Sequence, residues 1–250
     1  MLTLRTENLS VRFGRFLAVQ EVSLNCTGPG VHSIIGPNGA GKTTFFNALS
    51  GILPASTGRI FAGNRDITRL NPSSRLSLGI ARSFQITSLF EEETVMENIR
   101  MAVQAKRGKR TQFFRRADHN PDIADRTRHF IGLFGLERVA DTPVSQLSHG
   151  LKRIVDIALC VAGEAGIILL DEPTSGVGID DIPRIRRLIE KLGEDHLVIL
   201  IEHNMSVVLG ISETVSVLVR GALLVTGAPH DIQRNEAVKA AYLGTSHAPA

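Results

Sequence analysis

Gly36-Pro-Asn-Gly-Ala-Gly-Lys-Thr-Thr44 decides the fold, because it satisfies G-x4-G-K-[ST] with Gly36, Gly41, Lys42 and Thr43 at the defining positions. Glycine tolerates backbone turns that other residues resist, so successive N–H groups converge on phosphate oxygens at a helix N-terminus, where the dipole also favours anions. The phosphate-binding set is therefore Gly36, Pro37, Asn38, Gly39, Ala40, Gly41, Lys42, Thr43 and Thr44. Lys42 reaches the β- and γ-phosphates of a nucleoside triphosphate, and the Thr43 hydroxyl is offered to a Mg2+ that bridges them. The flanks supply the required context, with strand character over Val31 to Ile35 and helical character over Thr43 to Leu49.

A phosphate loop needs an acidic partner at the end of another buried strand. Ile167-Ile-Leu-Leu-Asp-Glu-Pro173 supplies four apolar residues ending in two carboxylates. Asp171 is placed to hold Mg2+, directly or through water, and Glu172 to orient and polarise the attacking water. From here strands and helices alternate: helix Ile182 to Leu192, strand Leu197 to Ile201 and helix Met205 to Ile211, then a hairpin of Val215 to Val219 with Leu223 to Thr226, and a closing helix Glu236 to Leu243. That order gives an α/β core with parallel strands.

Ahead of the loop, Leu2 to Leu9 and Ala18 to Leu24 read as strands, and Gly58 to Phe61 as another after it. Helical patterns follow at Ser73 to Leu78 and Thr94 to Gln104, then at Asp122 to Phe134 and Leu151 to Val161. Strand character is sparse until Ile167, so Ile86 to Val161 reads as a helical insertion. The tail over 245–250 is expected to be disordered.

At 250 residues the chain is long enough to bury a sizeable core, as one large domain or a core with a smaller inserted one. Its 43% hydrophobic and 21% charged residues are ordinary for a globular protein, and no apolar run approaches the roughly 18 residues needed to cross a bilayer. No secretory signal is evident at the start, so a cytosolic location is the default expectation. Cys26 and Cys160 lie far apart without metal-type spacing and read as reduced thiols in strand or helix cores. The net charge of +3 is too small to argue for nucleic acid. Lys106, Arg107, Lys109, Arg110, Arg115 and Arg116 do crowd into one segment, beside Phe113 and Phe114. Two readings of that run stay open: a solvated linker, or contact with anionic headgroups or an acidic partner.

The two motifs alone admit many nucleotide hydrolases and kinases. Between them, Leu147-Ser-His-Gly-Leu151 resembles the signature segment of the ABC ATPase family, usually written LSGGQ, with Ser148 and Gly150 at the matching positions and His149 and Leu151 departing from it. The other family marks occur in order. Phe13 matches the aromatic that stacks on adenine, and Gln85 the glutamine that senses Mg2+ and water. Ser175-Gly-Val-Gly178, that is Ser175, Gly176, Val177 and Gly178, resembles the loop that crosses the dimer interface, and His203 matches the switch histidine at the γ-phosphate. The resemblance covers Leu2 to Gly244. It implies one nucleotide-binding domain over 1–250: a phosphate-loop NTPase core of RecA-like type with a mainly parallel sheet, an antiparallel β subdomain, and an inserted α-helical subdomain over 86–161.

The resemblance further implies ATP hydrolysis with ATP and Mg2+. Glu172, His203, Lys42 and Gln85 would act in catalysis, with Thr43, Gln85 and Asp171 around the metal. In this family ATP is sandwiched between two cassettes, so a second ATPase subunit, identical or related, is required. Integral-membrane permeases and, indirectly, an extracytoplasmic solute-binding protein are the further partners; no nucleic acid is expected. The chain would sit peripherally on the inner face of the plasma membrane. Gly79 to Phe90, Thr94-Val-Met-Glu-Asn98, Ile201-Glu-His-Asn-Met205 and Ala241-Tyr-Leu-Gly244 are similar to the ATPases of bacterial branched-chain amino acid importers. Exporter ATPases and soluble mechanical ABC ATPases acting on ribosomes or nucleic acid are the alternatives.

Overall fold

The strand that feeds the phosphate loop runs through the interior of a larger sheet, buried along its whole length. A computed structural model describes residues 2–83, 89–107 and 121–243. In chain order, β1 (Leu2–Phe13), β2 (Phe16–Val22) and β3 (Asn25–Gly28) precede β4 (Gly30–Ile35), which leads into α1 (Lys42–Ser50). Next come β5 (Thr57–Ala62), β6 (Arg65–Asp66), α2 (Pro72–Ser77) and β7 (Ile80–Arg82). The helices α3 (Val95–Arg107), α4 (Pro121–Leu133) and α5 (His149–Ala162) follow. Then β8 (Ile167–Asp171), α6 (Ile182–Gly193), β9 (Leu197–Ile201) and α7 (Met205–Ile211) alternate. The hairpin of β10 (Thr214–Val219) and β11 (Ala222–Gly227), with α8 (Pro229–Arg234) and α9 (Glu236–Leu243), completes the described chain.

The larger sheet has the order β11-β10-β4-β9-β8-β7 among the described residues, parallel except for the β10–β11 hairpin. A smaller antiparallel sheet runs β2-β1-β5-β6, with β3 also paired to β1. The fully apolar runs are explained by burial on both faces. Along β8, Ile167 and Leu169 face a core shared with α1 and the antiparallel sheet, while Ile168 and Leu170 face the helices. Along β9, Leu197, Ile199 and Ile201 take the first side and Val198 and Leu200 the second. Successive strand residues point to opposite faces, so a strand covered on both sides must be apolar at every position.

The helices of the middle stretch do not build a separate core. Val95, Ile99 and Val103 of α3, Phe130 and Ile131 of α4, and Ile154, Ile157 and Ala158 of α5 join Ile168, Leu170, Val198 and Leu200 in one apolar cluster. The spacing of the α3 residues puts them on one helix face. β7 corrects the expectation that strand character is sparse before Ile167, since it pairs in parallel with β8 (Ile80↔Ile167) at the sheet edge. Three residues carry too little pattern to be read as a strand; the β8 ladder makes them one. The short β3 and β6 are additions of the same kind. Cys26 in β3 and Cys160 in α5 are both free and buried, and burial pushes the Cys26 thiol up to about 12.

A charged side chain enclosed by the fold ties α1 to α2. Arg75 of α2 is 1% exposed and donates to the carbonyls of Ala48 (2.7 Å), Leu49, Ile67 (2.9 Å), Thr68 (3.2 Å) and Leu70 (3.0 Å). It thereby caps the C-terminal turn of α1, where the helix dipole favours a cation. Burial brings its pKa down to about 10, which leaves it charged at neutral pH. Arg75→Met strands those acceptors, and the expected loss is about 3 kcal/mol of unfolding free energy. A urea midpoint unchanged from the parent would show that the carbonyls find other donors.

Candidate active site

The phosphate loop leaves β4 and opens α1 at the carboxyl edge of the parallel strands, the edge at which open α/β sheets bind ligands. Two glycines are required sterically. A Cβ on Gly36 (φ +154°) would lie 2.1 Å from the Leu218 carbonyl oxygen, and one on Gly41 (φ +90°) 2.4 Å from that of Ala18. Gly221 N–H donates to Ala40 O (3.0 Å), tying the loop to the β10–β11 turn. The Lys42 ammonium folds back across the loop and donates to Gly36 O (2.7 Å) and Pro37 O (3.0 Å). Burial lowers its pKa, while the charges of Glu172 and Asp171 pull it the other way.

A cavity of about 360 Å³ faces this loop. Its walls are Asn38, Gly39, Ala40, Gly41, Lys42, Thr43 and Thr44, then Phe16 and Ala18 of β2, with Glu172 and His203 opposite. Residues more than a hundred positions apart meet here because β4, β8 and β9 are parallel neighbours ending at the same edge. Phe13 is not among the lining residues. Its cross-strand neighbour Phe16 takes that wall, and both rings are exposed, at 48% and 67%. The ends of β1 and β2 bring the two aromatics opposite one another, and the sequence carries no mark of which one turns toward the loop.

Asp171 ends β8 at 1% exposure, with its carboxylate paired to Arg82 of β7 at 2.6 Å. Arg82 also donates to Asn47 Oδ1 (2.6 Å) and Ser50 Oγ (2.9 Å) of α1, while Arg153 of α5 donates to the Asp171 carbonyl. Neither arginine carries a mark of its own in the sequence, although Arg82 lies inside the stretch Gly79 to Phe90. Glu172 adopts a left-handed backbone (φ +45°), a strained conformation for a residue with a Cβ. Its N–H donates to Ile201 O (2.9 Å), and its carboxylate meets His203 Nε2 at 2.6 Å. An acid and an imidazole therefore face the phosphate loop as a hydrogen-bonded pair.

Thr43 and Asp171 offer a hydroxyl and a carboxylate, the oxygen donors that suit Mg2+. No group of three or more His, Cys, Asp or Glu side chains able to hold a metal occurs among the described residues. Such an ion beside a nucleotide needs only one or two protein ligands, and Thr43 on the cavity wall fits that need, whereas Asp171 is not among the walls and its carboxylate is held by Arg82. Gln85 lies outside the described residues, as do Lys109, Arg110, Phe113, Phe114, Arg115, Arg116 and the tail 245–250.

Neither the segment Leu147 to Leu151 nor Ser175 to Gly178 lines this cavity. Ser148 is the N-cap of α5, accepting from Leu151 N–H (3.3 Å), so the helix begins at His149 rather than at Leu151 as the pattern suggested. Leu147 is buried and Leu151 packs against the helical core, which anchors the segment at both ends and leaves Ser148 and His149 exposed. At Gly150 a Cβ would lie 2.2 Å from an Asp181 carboxylate oxygen. Ser175 and Gly176 are exposed, and Val177 packs inward against the core that holds α5.

A glycine-rich loop opening a helix beside parallel strands, with an acidic strand end opposite, defines a phosphate-loop NTPase. The family described as ABC transporter matches residues 19–175, and the chain belongs to that family of ATP-hydrolysing cassettes. A second family, described as branched-chain amino acid ATP-binding cassette transporter, matches residues 222–248. The chain is 37% identical, over 96% of its length and 97% of the relative's, to the high-affinity branched-chain amino acid transport ATP-binding protein LivG of Salmonella typhimurium. It is 33% identical to the lipopolysaccharide export system ATP-binding protein LptB of Escherichia coli, with 98% of each chain covered. Among solved structures it superposes on MJ1267, an ATP-binding cassette of an ABC transporter in its ADP conformation, with a TM-score of 0.85 and 27% identity, covering 98% of this chain and 99% of that one.

Proposed function

We propose that this chain is the ATP-hydrolysing subunit of a bacterial ABC importer for branched-chain or related amino acids, acting at the cytoplasmic face of the plasma membrane through separate permease subunits. The solute class rests on one observation, the match of residues 222–248 to the branched-chain family, in agreement with the near full-length similarity to LivG. No helix among the described residues is long and apolar enough to cross a membrane, so the transport path is assigned to partners.

In this reading the N–H groups from Asn38 to Thr44 and the Lys42 ammonium bind the ATP phosphates, and an aromatic of the β1–β2 turn, Phe13 or Phe16, stacks on the adenine. Thr43 and Asp171 would hold Mg2+, with Gln85 a third candidate, and the ion would supply positive charge against the nucleotide phosphates. Glu172 takes a proton from the attacking water, and His203, whose Nε2 pairs with that carboxylate here, is the switch residue that turns to the γ-phosphate. Ser148 and Gly150 contribute nothing to the cavity of their own chain, so a second cassette presents them to close the nucleotide in. The loop Ser175 to Gly178 crosses between the two copies.

Two adjoining apolar cavities of about 280 and 350 Å³ lie among α2, β7, α3 and α5, with Leu76 and Leu159 on the walls of both. This groove is the face we assign to the permease. Affinity purification of the chain from its native membrane is expected to bring down hydrophobic permease subunits. ATP hydrolysis by that complex should rise with a binding protein loaded with a branched-chain amino acid, and Leu76→Glu at the groove should abolish recovery while leaving ATP binding intact. The 33% identity to LptB supports an exporter as the second reading. Permeases that respond to no binding protein would favour it, and failure to recover any membrane partner would favour a soluble mechanical ATPase.

A further inference from the structure

One buried carboxylate has no place in the chemistry above. Glu202 follows the last residue of β9, is 3% exposed, and accepts four hydrogen bonds. Its Oε1 takes the Thr174 N–H (2.9 Å) and the Thr174 hydroxyl; its Oε2 takes the N–H groups of His203 (2.8 Å) and Asn204 (3.0 Å). The setting explains why a side chain is needed. β8 and β9 are paired up to Asp171 and Ile201, and Glu172 N–H to Ile201 O adds one last rung. Beyond it the two chains diverge, one toward Ser175 and the exposed loop, the other into α7, where Asn204 is the N-cap. At the point of divergence the backbone ladder ends, and the Glu202 carboxylate bridges the gap. Anionic acceptors form stronger hydrogen bonds than neutral ones, and a buried carboxylate with four donors is satisfied without a cation.

We infer that Glu202 is a positioning residue that fastens the switch histidine to the dimer-facing loop, so that His203 is held against Glu172 only while Thr174 and the following Ser175 to Gly178 are seated. A second copy pressing on that loop would move Thr174, and through Glu202 the backbone of His203. Contact between copies is thereby converted into alignment of the Glu172–His203 pair. The inference rests on the roles given above to Glu172 and His203, and it adds a connection those roles do not contain.

The test is steady-state ATPase kinetics of the full chain. Glu202→Gln replaces one acceptor oxygen by an amide that faces N–H donors. Turnover at saturating ATP should fall about tenfold or more, the scale of one lost charge-assisted hydrogen bond, while KM for ATP stays within about threefold. Combined with His203→Ala it should cost no more than about threefold beyond His203→Ala alone, because the two act as one unit. Thr174→Val, which removes only the hydroxyl donor, should show the same split in milder form and stands in if Glu202→Gln does not fold. Parental turnover in both variants, a change confined to KM, or effects that multiply with His203→Ala would overturn the inference. If His203→Ala itself turned over at the parental rate, the catalytic reading would fail first; a slow His203→Ala beside a fast Glu202→Gln would remove the fastening alone.

Discussion

Glu172→Gln is expected to bind ATP as the parent does and to hydrolyse it roughly 10² to 10⁴ times more slowly, the range lost with a positioned general base. The amide is isosteric, so the left-handed turn at residue 172 and its N–H bond to Ile201 are preserved. What disappears is an anionic oxygen able to take a proton from water. The pairing with His203 at 2.6 Å weakens as well, since it loses its anionic partner. With hydrolysis blocked and binding intact, the nucleotide stays between two cassettes, and size-exclusion chromatography with ATP should show a dimer that the parent does not accumulate. Parental turnover would show that another group orients the water.

Lys42→Ala acts one step earlier. Lys42 is 5% exposed and its ammonium rests on the carbonyls of Gly36 and Pro37, in the loop that faces the cavity. Removing it deletes the one cation that α1 presents to the phosphates and leaves the Glu172 carboxylate facing them across the cavity. A weakening of ATP affinity of about 10²-fold is expected, corresponding to two charge-assisted hydrogen bonds. Fluorescent nucleotide titration reads it directly. The fold should persist, because Gly36 and Gly41 set the loop through backbone geometry. An unchanged dissociation constant would mean that the N–H groups of the loop carry the binding alone.

Local chemistry made part of this site legible. The phosphate loop is nine consecutive residues in which the backbone itself is the ligand, so glycine spacing and one lysine suffice to mark it. The acidic strand end is marked because four apolar residues followed by two acids is what a doubly covered strand emerging at a polar edge must look like. Other contributors are written in no local pattern. Arg82 gains its place from the pairing of a three-residue strand with β8. Arg153 reaches Asp171 only because α5 packs over the sheet. Glu202 draws its donors from segments 28 positions apart.

By itself the sequence determined the alternation of strands and helices from Ile167 onward, the loop that opens α1, and the identity of the acid that faces it. Those features follow from periodicity and from residue chemistry over a few neighbours; His203 was marked only by the family resemblance. Tertiary structure alone decided that β7 joins the sheet and that Phe16 rather than Phe13 lines the cavity. Each of these depends on which strands and helices lie side by side, and that is set by burying two faces of one sheet at once.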